Sequence, residues 1–385
     1  MRNTRVKLRI GSCEKITRTT VYLVLLCLEI AHSVCIRGQS LVPPLPGAEH
    51  VLSDRLQEDV LQLVHEKIGV SYSARLGVDI IRDSANPDFI EVRLSVSQGP
   101  NSYRKWIGIS KDGKLFINGR IFKLRDNTQD EILSRIRSNL KVPSDEPINL
   151  DYSTRARGDG YKAGFATASL GHEKIGVGFY LSPSGRYIII GDLYTVLSPS
   201  DTVKCLSRLD KTRVPILGNH REHSTIVIFS DFECPTCAAD DPDIQKLSNE
   251  LAQHAHRGYR FVFAEFPLPY HPWAYLAAEV DACVFRTQRR DYLPFRSLLF
   301  GQQEQIHPDH AREDIAKLLS GVGLDPKTIM SCVDSGYAVN AIKTSMEVGN
   351  KIGIAGTPTI YVSGNGVMGN VSLDDLHKLL ERANE

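Results

Sequence analysis

The stretch that most constrains this chain is an apolar run followed at once by two cysteines. Thr225-Ile-Val-Ile-Phe-Ser-Asp231 has the β-branched and aromatic content of a buried strand, and it leads straight into Phe232-Glu-Cys-Pro-Thr-Cys237. A Cys-x-x-Cys at the junction of a strand and a helix puts its first sulfur at the helix N-terminus. Unpaired backbone N–H groups and the macrodipole favour an anion there. Two intervening residues bring the second sulfur within disulfide reach on the next turn. Cys234 therefore reads as a nucleophile, and Cys237 as the thiol that resolves a mixed disulfide. Pro235 suits a first helical turn because its missing N–H costs nothing there; with Thr236 it makes up the dipeptide between the cysteines. Half of a zinc site is the competing reading. It needs a second ligand pair, and no other Cys-x-x-Cys is present, so redox chemistry without metal or cofactor is preferred.

The flanking pattern predicts a helix from about Ala239 to His256, with Ile244, Leu247 and Leu251 on one face. A strand follows over Tyr259 to Phe266, closed by Pro267. Helical segments then fill about 271–352, and the chain returns through Gly356-Thr-Pro-Thr-Ile-Tyr-Val362 and the turn Ser363-Gly-Asn-Gly366. Ser372 caps a last helix, with Asp375 three residues on as a near-match to a capping box. Thr357-Pro358 has two readings. It is either a cis peptide facing the cysteines, which offers the Thr357 backbone to a client peptide added as a strand, or a trans proline at a strand edge.

Taken together, Phe229-Ser-Asp-Phe-Glu-Cys-Pro-Thr-Cys237, Phe266-Pro-Leu268, the helical insertion and Gly356-Thr-Pro-Thr359 resemble the DsbA-like thioredoxin-fold family. The resemblance covers 224–385, under half of the chain. It implies an α/β thioredoxin fold with a helical insertion, Cys234 as nucleophile, Cys237 as resolving thiol and Thr357-Pro358 as a cis-proline loop that binds substrate. It also implies protein substrates outside the cytoplasm and a redox partner that recycles the pair. Two departures bear on oxidising strength. Thr236 stands where strongly oxidising members carry histidine, and Ile228 stands where many thioredoxin-fold enzymes bury a carboxylate. Cys283 and Cys332 look like a pair that some members join as a second, structural disulfide; two separate buried thiols are the alternative.

The N-terminal half carries an internal duplication. Ser110-Lys-Asp-Gly-Lys-Leu-Phe-Ile-Asn-Gly-Arg-Ile-Phe122 and Ser182-Pro-Ser-Gly-Arg-Tyr-Ile-Ile-Ile-Gly-Asp-Leu-Tyr194 align with Gly113 on Gly185 and Gly119 on Gly191, an offset of 72 residues. Before each hairpin stand an amphipathic segment (Leu52, Leu56, Val60, Leu63, Val64; then Ile132, Ile136, Leu140) and alternating strand-like runs such as Leu76 to Ile81, Phe89 to Val96 and Tyr103 to Ile109. Residues 50–126 and 127–198 are thus expected to be two α+β repeats, each a helix with about four antiparallel strands. They are weakly similar to the cystatin-like dimerisation domain of DsbC-type isomerases, which would let tandem copies pack as an internal pseudo-dimer. Neither holds clustered Cys, His or carboxylates, so a scaffold is the expected role.

Residues 1–40 read as a signal peptide or an uncleaved N-terminal anchor: Arg2, Arg5, Lys7, Arg9, Lys15 and Arg18 precede the apolar run Val21 to Ile30, broken by Glu29. A periplasmic or secreted location follows. Residues 199–223 contain Pro199, Pro215 and the polar Gly218-Asn-His-Arg-Glu-His223, and read as a linker. Within it His220, Glu222 and His223 are of metal-binding type but lack a second cluster. Cys13, Cys27 and Cys35 lie in or beside the N-terminal segment, and Cys205 is left over. A hydrophobic content of 42% argues against disorder, and a net charge of +1 gives no electrostatic case for nucleic acid. The function this implies is thiol-disulfide exchange on exported proteins, forming or reshuffling disulfides. The alternatives are copper or zinc capture by the cysteine pair and a holdase-type chaperone.

Overall fold

The computed structural model describes residues 54–153, 159–170, 173–218, 224–253 and 259–383. The expected signal segment and the His220, Glu222, His223 group lie outside them. No helix among the described residues is long and apolar enough to cross a membrane.

The chain opens with α1 (Asp54–Ile68) and four strands, β1 (Arg75–Asp83), β2 (Phe89–Gln98), β3 (Asn101–Ser110) and β4 (Leu115–Lys123). The same order recurs as α2 (Gln129–Leu140), β5 (Ile148–Tyr152), β6 (Lys162–Leu170), β7 (Glu173–Leu181) and β8 (Tyr187–Thr195). Thr128 caps α2 by accepting from Glu131 N–H, and Lys141, at φ 57°, closes it in the left-handed region. Val60, Leu63 and Val64 of α1 pack on Val92, Leu94, Val96, Ile107, Ile109 and Phe116. Ile132 and Ile136 of α2 pack on Phe179, Leu181, Ile188 and Ile190.

All eight strands form one antiparallel sheet in the order β1-β2-β3-β4-β8-β7-β6-β5. The two repeats meet where β4 pairs with β8, and the register places Gly119 directly opposite Gly191. These are the second glycines of the duplicated hairpin, so the local two-fold passes between equivalent residues. Chemistry demands glycine at both. A Cβ on Gly119 would lie 2.2 Å from Ile190 O, and one on Gly191, at φ +128°, would lie 2.2 Å from Asn118 O. The first glycines serve the turns. Gly113 N–H donates to Ser110 O at 2.8 Å and Gly185 N–H to Ser182 O at 2.9 Å, both from positive φ.

The expected linker is a correction. Residues 199–218 fold with the C-terminal half: α3 (Pro199–Leu206), a 3-10 turn over Leu209–Lys211 and β9 (Ile216–Gly218). Ser198 is the N-cap and Pro199 occupies the first helical turn, so the residues that read as loop punctuation are start signals for a helix. Cys205, Leu206, Leu209 and Val214 are buried against Val348 and Ile352.

Next come β10 (Ser224–Ser230), α4 (Pro235–Gln253) and β11 (Tyr259–Glu265), then an insertion of α5 (Ala274–Thr287), α6 (Tyr292–Gly301), α7 (Ala311–Gly321), α8 (Pro326–Asp334) and α9 (Val339–Ile352). The chain closes with β12 (Thr359–Val362), β13 (Asn365–Met368) and α10 (Leu373–Ala383). The second sheet runs β13-β12-β10-β11-β9, with β10 and β11 parallel and the other pairs antiparallel. Cys283 of α5 and Cys332 of α8 form a disulfide, S–S 2.01 Å.

α1 also covers the β13 edge. Gln62 Nε2 donates to Gly366 O at 2.7 Å, and Tyr361 OH to Glu66 Oε1 at 2.7 Å. Lys67, 2% exposed, donates to Ile352 O and Gly353 O at 2.8 Å each, where α9 ends, and pairs with Glu66. A buried ammonium is tolerated because carbonyls at a helix C-terminus and a carboxylate satisfy it. Asp375 reciprocates the Ser372 cap and also accepts from Ser71 Oγ and Tyr72 N–H, joining the first repeat to the start of α10.

Candidate active site

Three residues separate β10 from Cys234, and each is tied down. Asp231, buried, accepts from Glu233 N–H and Leu268 N–H at 2.7 Å each, and pairs with His271 Nδ1 at 2.8 Å. Glu233 accepts from Trp273 N–H at 2.9 Å. Gln303, from the turn after α6, donates to Phe232 O at 2.7 Å and Cys234 O at 3.0 Å. The loop between strand and helix is thereby fixed from two sides, by the β11–α5 connection and by the insertion.

Cys234 immediately precedes α4, and Cys237 lies in its first turn. Cys234 is 7% exposed and Cys237 2%. Across from them the Thr357-Pro358 peptide is cis, and the Cys234 thiol donates to Thr357 O at 3.3 Å. Thr357 and Pro358 thus face the cysteine pair at the mouth of β12. Pro235 and Thr236 lie between the cysteines, Pro235 as the first residue of α4.

The two thiols are driven apart in acidity. A hydrogen bond from Cys237 holds Cys234 down to about 5; burial opposes this, and the Thr357 side chain and the N–H groups of Cys237 and Thr236 add to it. Burial, then the neighbouring Cys234, pushes the Cys237 thiol well above its ordinary range. Thr357 Oγ1 is buried with no hydrogen-bond partner among the described residues, so a thiolate at Cys234 supplies the acceptor it lacks. One favoured thiolate beside one retained proton is the arrangement sequential thiol exchange requires.

Several side chains that shape the site were invisible in the motif. Tyr270, 71% exposed, lies close enough for the Cys234 charge to raise its phenol, after burial, and its ring meets His271 edge-on at 4.7 Å. Behind Phe232, Arg296 is buried with Glu265 at 2.7 Å and Asp281 at 3.0 Å, its guanidinium 4.7 Å from the Phe232 ring. Two carboxylates share that one cation, and burial lifts Asp281 to about 7. Asp240, three residues after Cys237, is 5% exposed, and burial lifts it to about 7 as well. Among the described residues no group of three or more His, Cys, Asp or Glu is placed to hold a metal ion.

Residues 210–382 match the family model described as Thioredoxin. Among curated proteins, Disulfide bond formation protein D of Bacillus subtilis (strain 168) is 25% identical over 177 residues, which cover 44% of this chain and 76% of that protein. The Na(+)/H(+) antiporter NhaA 3 of Salinispora tropica is 24% identical over 169 residues, 44% of this chain, and the match spans only 24% of the antiporter's length. Among solved structures, the thiol-disulfide exchange protein alpha-DsbA2 from Wolbachia pipientis aligns at a TM-score of 0.41 with 19% identity, covering 48% of this chain and 96% of that one. BdbD from Bacillus subtilis, in its oxidised form, aligns at 0.38 with 21% identity, covering 44% and 92%. Residues 210–382 therefore form a thioredoxin-like domain, and this half of the chain is similar to a disulfide bond formation protein.

Proposed function

We propose that the protein is a thiol-disulfide oxidoreductase acting on exported proteins through Cys234 and Cys237. The observation that carries this reading is the paired sulfurs at the N-terminus of α4, one held down to about 5 and the other pushed well up, opposite the Thr357 carbonyl. Cys234 attacks a client disulfide, or is attacked as part of its own disulfide, to give a mixed disulfide that Cys237 resolves. Thr357 and Pro358, in the loop just ahead of β12, offer their backbone to align the client in an extended form. Clients are proteins with thiols or disulfides outside the cytoplasm, in the periplasm or beyond, and a separate redox partner resets the couple. The two N-terminal repeats act as a cystatin-like internal pseudo-dimer, a scaffold in the sense of the DsbC-type dimerisation domain, with one chain supplying both copies. That arrangement favours holding a misfolded client, hence disulfide isomerisation.

Reactivation of scrambled ribonuclease beside oxidation of reduced ribonuclease tests the reading. Activity in at least one assay, lost in Cys234→Ser, is expected. Wild-type protein inactive in both, under oxidising and reducing buffers, would remove it.

A further inference from the structure

The duplication supplies an internal control for what each repeat needs in order to fold. At the offset of 72 residues, Val60 and Val64 of α1 match Ile132 and Ile136 of α2, all four buried, so the inward face of the helix is kept. The outward residues of the last turn are not. Glu66 and Lys67 match Ser138 and Asn139, which are exposed, and Gly69 matches Lys141. Gly69 and Lys141 both sit at positive φ, 73° and 57°, so the left-handed turn after the helix does not itself demand glycine. A second requirement fixes Gly69: a Cβ there would lie 3.0 Å from Met368 O and 3.2 Å from Met368 Cε. What α1 carries and α2 lacks is matched to the C-terminal half.

These contacts converge on the loop that faces the cysteines. Buried Lys67 donates to Ile352 O and Gly353 O at 2.8 Å each, and Gly353, at φ 72°, is where α9 ends and the run to Thr357 begins. Lys67 is held in turn by Glu66 at 2.6 Å, and the Glu66 carboxylate also accepts from Tyr361 OH of β12, just beyond Pro358. On the other side of the loop, Met368 Sδ lies 3.4 Å from the Cβ position of Gly356, the residue before Thr357, while its methyl group faces Gly69. Gly369 N–H donates to Pro358 O at 2.8 Å. The loop is thus gripped at its start by Lys67 and in its middle by a methionine that Gly69 backs. At its tip are the Thr357 carbonyl, which accepts from the Cys234 thiol at 3.3 Å, and the buried Thr357 Oγ1, which has no partner among the described residues.

We propose that Lys67 and Gly69, at the end of the first helix, are positioning residues for thiol exchange: they hold the Thr357-Pro358 loop against Cys234. This deepens the exchange reading above and rests on it. Neither residue touches a sulfur, and each acts through the loop. A hydrogen bond weakens steeply as its angle and distance worsen, so slack in the loop withdraws Thr357 Oγ1, the side-chain donor that it brings to the Cys234 thiolate. The N-terminal half thereby sets the reactivity of a thiol that it does not contact. The second repeat, with Ser138, Asn139 and Lys141 at the matching positions, has no such part.

The test follows the ultraviolet absorbance of the Cys234 thiolate against pH in the full reduced chain, with the signal of Cys234→Ser subtracted. The wild-type midpoint is expected at about 5. Lys67→Met keeps most of the side chain and removes its donors; it should raise the midpoint to about 6 or above while circular dichroism shows the chain folded. Gly69→Ala, which presses on Met368, should raise it by a smaller amount. Asn139→Met, the same change at the matching position of the second repeat, should leave it at about 5. In a Thr357→Val background, where the donor is already gone, Lys67→Met should move the midpoint less than half as far, which loosened packing alone would not produce. An unmoved midpoint in Lys67→Met, an equal rise in Asn139→Met, or an equal rise with and without Thr357→Val would overturn the proposal. If Lys67→Met does not fold, an unmoved midpoint in Gly69→Ala does the same. Failure of the wild type to exchange with dithiobis(nitrobenzoate) would instead sink the exchange reading, and this proposal with it.

Discussion

In the eight-stranded sheet the residues that set the architecture are glycines and caps, whereas in the five-stranded sheet they are buried ionisable side chains. Gly119 and Gly191 let β4 and β8 approach, and Gly113 and Gly185 make the turns. The buried carboxylates of that half, Glu91 and Glu131, each reach an arginine that stays partly in water, Arg82 at 39% and Arg125 at 81% exposed. In the C-terminal half, Arg296, Glu265 and Asp281 are all 4% exposed or less, and Asp240 and Cys237 of α4 are buried as well. Satisfied backbone geometry stores little electrostatic strain and makes a durable scaffold. Buried, imperfectly paired charge costs stability and shifts proton affinities, which is what chemistry at a thiol needs.

The largest effect expected from breaking that contrast is at Arg296. Arg296→Leu leaves Glu265 and Asp281 buried without their cation and should cost about 3–5 kcal/mol in denaturant unfolding. A loss well under this would mean the carboxylates simply protonate and the network stores little. Gly119→Ala brings a Cβ against Ile190 O and should cost about 1–3 kcal/mol, with the Cys234 reactivity profile unchanged. A shift in that profile would show that the two halves do not divide the labour as argued. At the small end, Thr128→Ala removes the side chain that caps α2 and should lower stability by about 1 kcal/mol, read as a modest fall in the thermal midpoint.

How much of this was legible in the sequence follows the same division. The strand leading into Phe232-Glu-Cys-Pro-Thr-Cys237 and the duplicated glycines are local signals, and local signals carry turns, strands and a helix start. α4 begins at Pro235, four residues before the point that apolar periodicity predicts, because its first turn carries thiols rather than a hydrophobic stripe. Pairing β4 with β8 was beyond reach. Gly119 and Gly191 have equal claims to any turn or bulge until the partner strand is known. Ser198-Pro199 reads equally as a loop or as a helix start, and what decides is the burial of Cys205, Leu206, Leu209 and Val214 on a surface built by later residues. Asp240 sits in Ala-Ala-Asp-Asp-Pro-Asp, which looks like a solvated helix face; Val371, far along the chain, is what buries and orients it.

Everything rests on the state of one sulfur, and its alkylation by iodoacetamide as a function of pH, followed on the peptide containing Cys234, reads that state directly. The rate should climb through about pH 5 and stay level from roughly pH 7 to 9, since the fold lowers this thiol while the neutral form fades. The corresponding stabilisation of the reduced protein is present at higher pH and is lost as the pH falls through about 5. A rate that keeps climbing to about pH 8.5, as for an ordinary cysteine, would show that neither the helix N-terminus nor Cys237 stabilises the thiolate, and would contradict the account.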